Sequence, residues 1–117
     1  MSTPGRRAER LASQIREEIA ELMARGLKDP RIGFATVTRV ELSADLRHAR
    51  VGISVMGSVD DQKASLEGLS SAAGYIRHEM GHRMRLRYAP ELTFVLDHGA
   101  EESQKIEMLL QKLKEEQ

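Results

Sequence analysis

The chain of 117 residues has no cysteine and no tryptophan. The missing thiols exclude disulfides and thiolate metal sites and fit a reducing, cytoplasmic setting. Two Tyr and two Phe are the only aromatics, so the core must be built from Leu, Ile, Val, Met and Ala. So few rings also argue against a surface of stacked aromatic platforms. No apolar run approaches the roughly 18 residues that a membrane span needs, and the N-terminus lacks the apolar core of a signal peptide. Net charge is absent too: 18 Lys/Arg balance 18 Asp/Glu, so total charge gives no support for nucleic-acid binding.

What is present is an ordinary globular balance, 40% apolar and 31% charged, in a length that suits one small domain. That domain is expected over 1–117, with a core over about 6–98 and a short helix or tail over 99–117. The zero charge hides a pattern. Residues 1–31 carry seven Lys/Arg against five Asp/Glu, and residues 72–96 carry four against two. Residues 97–117 carry three against six, so basic charge sits at the start and centre and acidic charge at the end.

From Arg6 to Arg25, Leu11, Ile15, Ile19 and Leu22 recur at three- and four-residue steps and predict an amphipathic helix. Gly26 suits a helix stop, and Asp29-Pro30 forbids continuation. Ile32–Leu42 is β-branched and reads as a strand with room for a bulge. Ser43-Ala44-Asp45 is a turn. Ala49, Val51, Ile53 and Val55 alternate with polar or small residues, giving a second strand in an antiparallel hairpin. Asp60 and Asp61 open a second helical stretch, whose stripe Leu66, Leu69, Ala73, Ile76, Met80, Met84 is interrupted at Gly74. A break or kink is expected there, dividing the stretch into a helix pair. Leu92–Leu96 reads as a third strand, and Ile106, Leu109, Leu110 and Leu113 mark a short C-terminal helix. Helices covering one face of a three-stranded sheet is the economical α+β arrangement.

The central stretch Ser71–Pro90 contains His78-Glu79-Met80-Gly81-His82, the metallopeptidase string H-E-x-x-H. On a helix the two histidines share a face and Glu79 is placed as general base. His98, Glu101 and Glu102 are the candidates for a third ligand. The flanks oppose this: Arg85 and Tyr88 stand where the extended motif needs Gly and His, and Arg83 puts a cation beside the metal. The plain alternative is a solvated face with Glu79 and Arg83 paired at i,i+4.

The same stretch holds Arg77, Arg83, Arg85 and Arg87, whose guanidinium forks suit phosphate oxygens. Arg6, Arg7 and Arg10 form a second basic patch on the first helix. Both patches have a plain reading as solvated helix surface. A third reading is a protein-binding module whose methionine-containing stripe is exposed to a partner.

Five pieces, in order, resemble the ribosome-binding factor A family: RAERLASQIREEIAELM, LKDPRI, TVTRVELSADLRHARVGISV, SAAGYIR and GHRMRLRYAPELTFVLD. The resemblance covers roughly residues 6–113. It implies a type II KH-like domain, α-β-β-α-kink-α-β, whose kink is an Ala-x-Gly here matched by Ala72-Ala73-Gly74. It implies an RNA-binding assembly factor, without catalysis or cofactor, that binds free small (30S) ribosomal subunits and assists maturation of the 5′ end of 16S rRNA. It further implies cytoplasmic location, a role in the cold, cooperation with assembly GTPases, and a monomer without membrane contact. The RNA-binding residues expected on that reading are Arg77, Arg83, Arg85 and Arg87 with Arg6, Arg7 and Arg10. The alternative is a metal-dependent hydrolase using His78, Glu79 and His82. His78, His82 and the His98-Gly99-Ala100 segment depart from the family pattern.

Overall fold

The first helix, α1 (Arg6–Ala24), puts Ile15, Ile19 and Leu22 into the core and its charges outward. Each such buried side chain contributes about 1.5–3 kcal/mol. Gly26 lies at φ +88°, a left-handed conformation that suits glycine just beyond a helix end. The computed structural model describes residues 5–97 and 108–115. After α1 come β1 (Ala35–Leu42), β2 (His48–Val55), α2 (Val59–Arg83) and β3 (Glu91–Leu96). A third helix, α3, covers residues 108–115.

The three strands form one sheet in the order β1-β2-β3. β1 and β2 are an antiparallel hairpin whose register shifts between Val37 and Arg39, the bulge for which the imperfect alternation left room. β3 runs parallel to β2, pairing Ala49 with Leu92 and Val51 with Phe94. A parallel neighbour requires a long crossover, and α2 supplies it. Ala49, Val51, Ile53 and Val55 are buried on one face, while His48, Arg50 and Ser54 are exposed on the other. Helices α1 and α2 therefore cover one side of the sheet, as expected.

Three expectations change. Ile32–Phe34 are not strand: this segment folds against α2, where buried Ser65 accepts a 3.0 Å hydrogen bond from Gly33 N–H. The helix pair is a single helix of 25 residues, running through Ala72, Ala73 and Gly74 without interruption. A glycine costs about 1 kcal/mol inside a helix. Leu69 and Ile76 on either side of Gly74 are fully buried and contribute more than that. The stripe is not an exposed docking face either, since Met80 is 0% exposed. The short C-terminal helix is present over residues 108–115, with Leu109, Leu110 and Leu113 open to solvent. The stretch 98–107, which includes the metal candidates His98, Glu101 and Glu102, lies outside the described residues.

Candidate nucleic-acid interface

Residues 7, 10, 11 and 14 recur at i, i+3, i+4 and i+7 and so share one face of α1. Arg7, Arg10, Leu11 and Gln14 form one wall of a cleft of about 880 Å³. The β1–β2 turn provides a second wall with Asp45, Leu46, Arg47 and His48. The α2–β3 connection closes it with Arg77, Leu86, Tyr88, Ala89 and Glu91. Four arginines and one histidine thus face two carboxylates in a single concavity.

Each wall is held by local chemistry. In the turn, Asp45 Oδ1 accepts from Ser43 Oγ (2.6 Å) and from Arg47 N–H (3.0 Å). Ser43 Oγ in turn accepts from His48 N–H at 3.0 Å. The Ser43 hydroxyl, followed by the Arg47 amide, holds the Asp45 carboxyl below its usual range. Leu46 takes φ +61°, uncommon for a residue with a branched side chain.

The α2–β3 connection begins with a Schellman cap. Leu86 N–H reaches Gly81 O at 2.9 Å and Arg85 N–H reaches His82 O at 3.2 Å. The left-handed position, normally glycine, is Arg85 at φ +54°. Arg77 donates from Nε (3.0 Å) and Nη2 (2.9 Å) to Ala89 O. Two of the five guanidinium donors are thereby committed and three remain for a ligand. Gly81 lets the connection lie close, since a Cβ there would stand 2.9 Å from Ala89 Cβ.

A second, shallower cleft of about 550 Å³ adjoins the first and shares Arg77, Leu86, Tyr88 and Ala89 with it. Gly74, His78, Gly81, His82 and Arg87 complete its lining. A Cβ on exposed Gly74 would meet nothing within 4 Å, so no packing within the described chain demands a glycine there.

The expected basic residues divide. Arg7, Arg10 and Arg77 converge on the first cleft, joining what the sequence presents as two patches, and Arg87 lines the second. Arg6 and Arg85 are exposed but line neither. Arg83 turns to α1, with Nη2 2.8 Å from Glu21 Oε1 and Nε 3.0 Å from Glu18 Oε2. The Glu18 contact is out of line for a hydrogen bond and acts as charge on charge. Glu21 is held below the usual carboxylate range, first by its hydrogen bond from Arg83 and then by that cation's charge. Arg83 thus ties α1 to α2, and its main partners are these glutamates rather than Glu79. Arg47, His48 and Tyr88 also line the first cleft, though no motif in the sequence singles them out. A basic pair directly after a turn, and an aromatic between arginine and proline, were the available signals.

His78 and His82 are exposed on α2. Among the described residues no group of three His, Cys, Asp or Glu side chains is placed to hold a metal, and no helix is long and apolar enough to cross a membrane.

A family model for ribosome-binding factor A matches residues 7–110. The chain belongs to the ribosome-binding factor A family. A relative named ribosome-binding factor A from Brevibacillus brevis is 46% identical over 110 residues, covering 94% of this chain and 91% of that one. Another, from Thermomicrobium roseum, is 46% identical over 113 residues, covering 97% and 88%. The crystal structure of ribosome-binding factor A from Thermus thermophilus superimposes with a TM-score of 0.67 at 28% identity, covering 76% of this chain and 94% of that one. A homology model of Thermus thermophilus ribosome-binding factor A, as fitted into the cryo-EM map of its 30S complex, matches with a TM-score of 0.62 at 29% identity, covering 74% and 90%.

Proposed function

We propose that this chain binds free small ribosomal subunits through their RNA during assembly. The observation that carries the reading is the convergence of Arg7, Arg10, Arg47 and Arg77 on one cleft. Cations at a helix N-terminus oppose the helix dipole. Arg6, Arg7 and Arg10 nevertheless crowd the start of α1, where Glu9 is the one acidic residue of the first turn. Phosphates arriving at the cleft would relieve that repulsion and accept the free guanidinium donors.

Membership of the family, and the Thermus thermophilus relative fitted into a 30S complex, point to the small subunit as the source of those phosphates. On this reading the whole chain acts as one cytoplasmic, monomeric unit that assists maturation of the 5′ end of 16S rRNA, with a role in the cold. It works alongside assembly GTPases and without catalysis or cofactor. Arg77, Arg87, Arg85 and the α1 arginines contact phosphates. Gly74 sets the line of α2 at its Ala72-Ala73-Gly74 segment and leaves space for a close-lying RNA backbone. Arg83 serves the fold rather than the RNA.

Sucrose-gradient co-sedimentation tests this. The protein is expected with free small subunits, and exchange of Arg7, Arg10 and Arg47 for Glu should release it at lower salt. Absence of the wild-type protein from every ribosomal fraction would sink the proposal.

A further inference from the structure

We infer that the larger cleft takes one unpaired nucleotide of RNA, with its base against Tyr88 and its phosphates among the arginines. This rests on the RNA-binding reading and sharpens it from backbone contact to recognition of single strands. Tyr88 is 79% exposed on a chain with four aromatics in all, and it stands where both clefts meet. Arg87 Cζ lies 5.8 Å from its ring centroid, within cation–π range. A base stacking on Tyr88 would thus meet a ring already flanked by a cation.

The platform is held before any ligand arrives. Arg77 clamps Ala89 O, the Schellman cap fixes the start of the connection, and Pro90 is fully buried at its end. Little backbone ordering entropy is then lost on binding. Half-buried Leu11, Leu46 and Leu86 add apolar surface to the cleft beside its exposed arginines. That combination suits a nucleotide, which has a flat apolar face and an anionic end. It does not suit a duplex, whose bases are stacked away and which offers side chains its backbone and minor groove. A cleft of about 880 Å³ also falls in the size range of small-ligand pockets.

The test compares the full chain against a fluorescent octauridylate and a blunt RNA duplex by anisotropy, over a series of salt concentrations. The wild type is expected to prefer the single strand. Tyr88→Ala should cost roughly tenfold on the octamer, the scale of one base–aromatic stack, and much less on the duplex. Tyr88→Phe should restore the single-strand affinity. Equal losses on both RNAs, or no loss on the octamer, would overturn the inference. If the wild type still travels with small subunits in that case, the broader reading survives. If it binds neither RNA and no subunit, both fail together.

Discussion

Arg85 occupies a left-handed position that glycine would fill at no steric cost. A non-glycine residue there costs about 1–2 kcal/mol, and among the described residues its side chain has no hydrogen-bond or ion-pair partner. Strain of this kind is kept where a side chain serves something outside the fold. Arg85→Gly should therefore stabilise the free protein by about 0.5–1 kcal/mol once the extra freedom of glycine in the unfolded chain is subtracted. Thermal unfolding would show a rise of a few degrees, while small-subunit affinity falls and its salt dependence flattens. Arg83→Met should give the opposite pair. It removes the contact with Glu18 and Glu21 and lowers thermal stability, but leaves the salt slope of binding unchanged, because that guanidinium points to α1. A matching loss of affinity in both variants would show that the division between binding and structural arginines is wrong.

On α2, three glycines separate by the space around them. A Cβ on Gly68 would lie 2.6 Å from Ile32 Cγ1, and one on Gly81 2.9 Å from Ala89 Cβ, while Gly74 has open space. Overpacking costs about 1–3 kcal/mol, against the roughly 1 kcal/mol that alanine gains over glycine in a helix. Gly68→Ala should thus lose about 1–2 kcal/mol in urea denaturation and Gly81→Ala somewhat less. Gly74→Ala should gain about 0.5–1 kcal/mol and yet weaken binding. A loss of stability at position 74 would mean that this glycine serves the fold after all. These signs also explain what the sequence could and could not disclose. Periodicity located both long helices and all three strands, because burial of Ile15, Val51 or Ile76 depends on local spacing. The roles of Gly68 and Gly81 depend on loops more than seven residues away in the chain, and so does the pairing of Arg83 with α1. Gly74 and the two crowded glycines look alike in the sequence, which is why a break or kink is expected at a point where the helix runs on without interruption. Arg7 and Arg77 similarly look like members of separate patches until the sheet brings α1 and the α2–β3 connection to the same end.

Across the whole molecule, four carboxylates hold the joints between elements, and all four are shifted in one direction. Asp29 is lowered chiefly by the Arg31 guanidinium, with Arg31 Nη2 2.7 Å from its Oδ2, in the segment packed on α2. Asp45 is lowered first by the Ser43 hydroxyl in the hairpin turn. Asp61 is lowered by the Ser58 amide, then by its hydroxyl, in the capping box that starts α2. Glu21 is lowered by Arg83 between α1 and α2. A carboxylate whose folded pKa lies below its unfolded value binds fewer protons when folded. Its contribution is complete above the unfolded value, near pH 4, and disappears as pH falls through the folded one. The carboxylate contribution to stability should therefore hold above about pH 5 and decline below about pH 4. Thermal unfolding measured across that range checks the expectation. Asp61→Asn removes one such group and should shallow the acid limb while lowering stability at neutral pH, where the capping box is intact. An acid limb as steep as that of the wild type would show that the α2 cap contributes nothing to it. The clamp on the α2–β3 connection provides an internal contrast, because Arg77 bonds a backbone carbonyl that does not titrate. Mild acid should consequently loosen the hairpin turn and the helix joints before it disturbs the Tyr88 wall of the cleft.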